Sequence, residues 1–164
     1  MAARIVDDRA HDGYVRLAAT MPMHADPEAV AAVLAAGPEG WEERPGVSGY
    51  RRFAVDLRLR LGGDTAALTT FRKAALVDIG AVRPVEQGYI AEIAWRAASG
   101  APLFPVFSGE LRLGPDELSI SGLYAPPGGV VGRIADRALL HVAATGTARW
   151  FLGELDRAAL GAAG

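Results

Sequence analysis

Residues 52–61 read Arg-Phe-Ala-Val-Asp-Leu-Arg-Leu-Arg-Leu, and this stretch decides the fold class. Phe53, Val55, Leu57, Leu59 and Leu61 alternate with Arg52, Asp56, Arg58 and Arg60. In an extended chain successive side chains point to opposite faces, so the apolar groups share one face and the charges the other. Strands of a parallel sheet are covered on both faces and read as continuous apolar runs. A strand with one wet face belongs to an antiparallel sheet. Gly62-Gly63-Asp64 then turns the chain.

The same pattern recurs on either side. Val15, Leu17, Ala19 and Met21 share a face opposite Arg16 and Thr20. Tyr89, Ala91, Ile93 and Trp95 oppose Glu92 and Arg96. Phe107, Gly109, Leu111 and Leu113 oppose Glu110 and Arg112, and Leu118, Ile120, Gly122 and Tyr124 oppose Ser119 and Ser121. Thr69 to Val82 holds one or two further strands. Short turns such as Gly114-Pro115-Asp116 imply a meander of hairpins, about six or seven strands in all.

Two helical segments interrupt and close this series. Asp26-Pro27-Glu28 opens the first: Asp26 caps free N–H groups, Pro27 suits the first helical position and Glu28 complements the dipole. It runs to Ala36 and stops at Gly37-Pro38. Gly40 to Gly49, with Trp41, is turn-rich and leaves room for a short second helix. After Pro126-Pro127-Gly128-Gly129, no proline occurs from about Val130 to Leu160, and helix formers dominate. A helix of that length spans ~45 Å. One stripe at helical spacing is Val131, Ala135, Ala138, Val142 and Gly146; another contains Leu139, Ala143 and Trp150. A helix this apolar must be covered, and the sheet's apolar face must be covered too. The fold class is therefore α+β, a curved antiparallel sheet wrapped around a long C-terminal helix whose small residues leave space beneath it.

The 164 residues are the usual size of one domain, and 1–164 is read as a single unit with 1–12 a flexible N-terminus. Cysteine is absent, which excludes disulfides, thiolate nucleophiles and cysteine-ligated metal. The net charge of −2 gives no basic excess for a nucleic-acid or anionic-membrane partner. No window approaches the ~20 apolar residues of a membrane span, and the N-terminus carries no signal-peptide pattern. A cytoplasmic location is expected. Lys73 is the sole lysine among many arginines and alanines, a composition that fits a GC-rich bacterial genome.

The element order and a set of local motifs resemble the START-like superfamily, the SRPBCC or helix-grip proteins. The resemblance begins at Trp95. It continues through Leu103-Phe104-Pro105-Val106-Phe107-Ser108-Gly109-Glu110-Leu111 and Gly122-Leu123-Tyr124-Ala125-Pro126-Pro127-Gly128-Gly129 to Gly132. Asp136-Arg137-Ala138-Leu139-Leu140-His141 and Arg149-Trp150-Phe151-Leu152 close it. It is nearest to bacterial members related to polyketide cyclases and lipid-transfer proteins, and covers roughly the last 70 residues by motif. It implies a cavity between sheet and helix for a hydrophobic or aromatic small molecule. It fixes no reaction, because function resides in the site rather than the fold.

Candidate residues follow from face and type. Trp95, Tyr124, Leu111, Ile120, Tyr89 and Phe107 lie on inward faces, and Val142 and His141 on the helix; together they are the expected ligand contacts. Tyr and Trp bring a flat body and one polar tip. The same residues also serve as plain core. His141, Tyr124 and Arg137 are the acid–base candidates if the protein is an enzyme, although Asp136 and Arg137 also read as a solvated helix face. Asp78 and Glu92 form a carboxylate pair only if their strands are neighbours, and Glu92 falls on the wet face. His11, His24 and His141 share no metal-ligand spacing, so neither metal nor cofactor is expected. Gly128 to Gly132 lacks the Lys and Ser/Thr of a phosphate-binding loop and reads as a tight turn. Leu103 to Phe107 reads as a sticky patch or a buried start of a strand. Three functions stay open: binding or transport of a hydrophobic small molecule, a cyclase-, dehydratase- or hydrolase-like enzyme using the same cavity, and an assembly or regulatory protein. A monomer or a homodimer serves any of them.

Overall fold

The computed structural model describes residues 14–61, 69–99, 106–125 and 136–162, with side chains for all of these except 58–61, 69–73 and 136–143. The elements are β1 (Val15–Pro22), α1 (Pro27–Ala36), β2 (Glu42–Arg44), β3 (Tyr50–Leu61), β4 (Thr69–Gly80), β5 (Arg83–Val85), β6 (Gly88–Ala97), β7 (Val106–Leu113), β8 (Glu117–Ala125) and α2 (Asp136–Ala162). The expected 1–12 tail, Leu103 to Pro105, the glycine turn 128–132 and the start of the last helix near Val130 lie outside the described residues.

All strands join one antiparallel sheet in the order β1-β8-β7-β6-β4-β3-β2, with β5 paired to β6. Among the described residues the strand count is eight, one above the upper end of the six or seven expected from the hydropathy pattern. The segment expected to hold a second short helix instead forms β2, whose three residues are all exposed. Thr69–Gly80 is one continuous strand, and β5 follows it.

Alternation sets the inner face. In β3, Phe53, Val55 and Leu57 are buried while Asp56 is exposed. Reading across the sheet, Phe53, Val77, Trp95, Phe107, Tyr124 and Val15 pair in register as one row. Five of the six are buried, and Val15 packs against them at the edge. Each large side chain so buried contributes ~1.5–3 kcal/mol. The next row contains Gly109 opposite Gly122. A Cβ on Gly109 would lie 2.2 Å from the Ser121 carbonyl oxygen and 2.7 Å from Phe107 Cζ. On Gly122 it would lie 2.3 Å from the Ser108 oxygen and 2.9 Å from Phe107 Cζ. Two facing glycines thus let β7 and β8 approach and bend, and the Phe107 ring lies over them.

Helix α1 begins as its sequence dictates. Asp26 accepts a 2.8 Å hydrogen bond from the Glu28 N–H, Pro27 is at the first turn, and Gly37 ends the helix with φ +88°. Helix α2 has 27 residues, more than seven turns at 3.6 residues each. It packs against β3, β1, β8 and α1. In its described half, the buried stripe is Ala144, Thr147, Ala148, Phe151, Leu152, Leu155, Asp156 and Ala159. The expected stripes through Gly146 and Trp150 are out of phase with it: both residues are half-buried. Alanine on every side of the helix gives little contrast from which to read the phase.

Candidate functional site

Two contacts fix how α2 lies. Near its end, Asp156 accepts hydrogen bonds from the backbone N–H groups of His24 and Ala25, both 2.9 Å, just past β1. One and a half turns earlier, Phe151 lies 5.9 Å from Trp95 and 5.7 Å from Trp41, ring centre to ring centre. The C-terminal part of α2 thus covers the end of the sheet bearing Met21 and α1, and its middle crosses the Trp95 row.

An aromatic cluster forms at that crossing. Trp95 stacks on Phe107 with centroids 4.2 Å apart and planes at 23°. Trp41 meets Phe53 edge-on at 5.8 Å. Trp41 comes from the turn-rich segment and closes the cluster from the side. Arg51 places its guanidinium 5.0 Å from the Phe53 ring centre, donates to the Ala35 carbonyl at the end of α1, and makes two 2.9 Å hydrogen bonds to Glu43. A cation at a helix C-terminus is favourably placed. The hydrogen bond from Arg51 lowers the Glu43 carboxyl pKa.

The sequence-predicted residues divide into three groups. Trp95, Phe107 and Tyr124 are register neighbours, all buried, and form one continuous surface. Leu111 and Ile120 pair with each other two rows away, and Tyr89 is half-buried opposite Leu113 beyond them. The side chains of His141, Val142 and Arg137 lie outside the described residues. On the helix, Phe151 does meet this surface; it stands in the Arg149-Trp150-Phe151-Leu152 motif of the resemblance and not among the expected contacts.

Among the described residues, three buried polar atoms have no hydrogen-bond partner: Trp95 Nε1, Thr145 Oγ1 and Trp150 Nε1. Trp95 is only 2% exposed, on a face whose other row members are apolar apart from the Tyr124 hydroxyl. Thr145 is on the margin of the α2 stripe, whereas Trp150 is ~140° around the helix from Leu155 and so outside it. An unpaired buried donor costs ~1–3 kcal/mol.

The outer face has different chemistry. Asp78 and Glu92 are on neighbouring strands, diagonal to one another, yet each has its own partner. Arg52 holds Asp78 through bonds of 2.6 and 2.9 Å, and the Tyr50 hydroxyl donates to Glu92. That bond, with burial, raises the Tyr50 pKa. Tyr50, Asp78 and Glu92 line a surface hollow of about 840 Å³ with Ser108, Glu110 and Ser121. Glu110 is engaged by Arg112 at 3.1 Å. Among the described residues, no three histidine, aspartate or glutamate side chains converge as metal ligands. No described helix is long and apolar enough to cross a membrane.

A curved antiparallel sheet of this order, with a helix after its first strand and a long helix across its inner face, is a helix-grip fold. The particular structures it resembles are distant in sequence. TTHA0849 from Thermus thermophilus superposes with a TM-score of 0.56 at 15% identity, over 92% of this chain and all of that one. Ara h 8.0201 gives a TM-score of 0.49 at 13% identity, over 91% of this chain and 99% of that one. No protein-family model and no curated protein matches the sequence.

Proposed function

We propose that this protein binds a hydrophobic or aromatic small molecule between the inner face of the sheet and α2. The observation that carries this reading is Trp95. Its indole N–H is buried and unpartnered on a surface made of Trp95, Phe107 and Tyr124. Binding sites are mostly apolar with a few placed polar groups, and this surface has that character. Ala97 and Ala75, paired in register, adjoin Trp95 on the same face. Val142 and His141 on α2 complete the proposed lining, with Leu111 and Ile120 toward the other end. Kinship with polyketide cyclases and lipid-transfer proteins, implied by the sequence resemblance, belongs to the same proposal, as does a place in the bacterial cytoplasm.

The test uses N-phenyl-1-naphthylamine, a neutral apolar fluorescent probe. The parent protein should bind it with a blue shift and enhanced emission. Trp95→Ala should weaken binding more than Leu57→Ala, which deletes an equally buried side chain on β3. Equal weakening by the two changes, with both proteins folded, would move the site away from Trp95.

A further inference from the structure

We infer that Trp95 Nε1 is a specificity anchor that selects ligands carrying a neutral hydrogen-bond acceptor, such as a ketone, ester or quinone carbonyl, over hydrocarbons and over carboxylates. This inference rests on the binding reading above and adds the chemical class of the ligand.

Three observations support it. First, the indole is a donor and cannot accept, so only an acceptor can satisfy it. No atom of the described residues does so, although the residue is 2% exposed. Second, the ring is held and cannot turn away to find a partner. It is stacked on Phe107 at 4.2 Å, and Phe151 lies 5.9 Å away. The Phe107 ring is in turn seated over Gly109 and Gly122. A donor fixed by its neighbours is preorganised, so a ligand does not meet the entropy cost of ordering it. Third, the described interior offers no counter-charge for an anion. The buried polar and charged side chains among the described residues are Thr147 and Asp156. Asp156 is itself an acid, already engaged by His24 and Ala25. Against these described groups a carboxylate would be desolvated without a cation unless His141 of the proposed lining supplied one, whereas a carbonyl needs none. Thr145 Oγ1, buried and unpartnered on α2, can accept or donate and gives the helix side a second polar point.

The experiment compares ligands of one shape: fluorene, 9-fluorenone and fluorene-9-carboxylate, against the parent and Trp95→Phe. Phenylalanine keeps an aromatic ring and removes the N–H. The ketone-to-hydrocarbon affinity ratio should be about fivefold higher in the parent than in the variant, the effect of one hydrogen bond, and the carboxylate should bind most weakly. The protein has three tryptophans, so its ¹⁵N spectrum holds three indole N–H signals. The one missing in Trp95→Phe is that of Trp95, and in the parent it should move downfield with fluorenone and not with fluorene. If the variant does not fold, Trp41→Phe and Trp150→Phe assign the signal by elimination, and the shift in the parent decides. Equal affinity ratios, an indole signal indifferent to the carbonyl, or tightest binding by the carboxylate would overturn the anchor while leaving a binding protein. If neither fluorenone nor fluorene binds, but the naphthylamine probe does, the anchor fails alone. If nothing binds, the binding reading fails with it.

Discussion

Asp156 and His24 are 132 residues apart in sequence and joined twice: the carboxylate accepts the His24 backbone N–H on Oδ1 and the His24 ring Nδ1 on Oδ2, both at 2.9 Å. Ala25 donates a third bond to Oδ1. The clasp ties the end of β1 and the approach to α1 onto α2. Burial pushes the Asp156 carboxyl pKa up, but the hydrogen bonds from Ala25 and His24 outweigh it and hold the group below its ordinary value. Asp156→Ala leaves two backbone donors without their acceptor and should cost about 2–4 kcal/mol. At ~2–4 °C per kcal/mol for a chain of this size, that lowers the melting temperature by roughly 5–15 °C.

The pH dependence of the same clasp has a definite sign. A carboxyl whose folded pKa is depressed contributes stability above its unfolded pKa and loses it as pH falls through the folded one. The ordinary value is 3.8. The advantage of the parent over Asp156→Asn in urea unfolding should therefore be flat from pH 7 to about 5 and shrink below about 4. A difference that instead grew below about pH 4, where the carboxylate is being protonated, would show that the carboxylate is not the stabilising form.

Arg52 and Asp78 face each other in register across β3 and β4, and the guanidinium meets both carboxylate oxygens. Fork geometry of this kind is available to arginine and not to lysine. Arg52→Lys should therefore lower the urea midpoint nearly as much as Arg52→Gln, and both by less than Asp156→Ala. Raising the salt concentration should narrow the gap to the parent. If lysine restored the parent midpoint, two-pronged geometry would contribute nothing here.

How much of this could be read from the sequence depended on contrast between neighbouring residues. In β3, β6, β7 and β8 apolar and polar groups alternate cleanly, so the inner face and the strand members of the candidate site were legible. Asp26-Pro27 and Gly37 marked α1 because capping is local chemistry. Arg72 and Lys73, adjacent in the middle of β4, broke the alternation and made one strand look divisible. β2 is a fully exposed edge strand, formed by pairing with β3 rather than by any period of its own. In α2, alanine spreads around the helix, so neither the stripe with Phe151 nor the place of Asp156 could be phased. The clasp to His24 is wholly tertiary, and no local pattern could reveal it.

Glycines provide the sharpest test of the sheet's geometry, because the same substitution should act in opposite directions at two sites. In mid-helix, a Cβ at Gly153 would meet Arg157 Nη2 at 3.8 Å and Met21 Cε at 3.9 Å, ordinary contact distances. Gly153→Ala should stabilise the protein by ~0.5–1 kcal/mol, through the helix propensity of alanine and the lower entropy of its unfolded chain. At Gly122 the added carbon would lie 2.3 Å from the Ser108 carbonyl oxygen and 2.6 Å from Gly109 Cα, both backbone atoms that no rotamer change can move. Phe107 Cζ at 2.9 Å would have to leave its place over the glycine pair as well, disturbing its stack on Trp95. Gly122→Ala should cost more than about 2 kcal/mol, the range for overpacking with backbone displacement. Urea unfolding of the two variants beside the parent measures both signs. The Trp95 indole signal should shift in Gly122→Ala and stay in place in Gly153→Ala. A neutral Gly122→Ala with an unmoved Trp95 signal would mean that β7 and β8 do not approach as closely as their facing glycines permit.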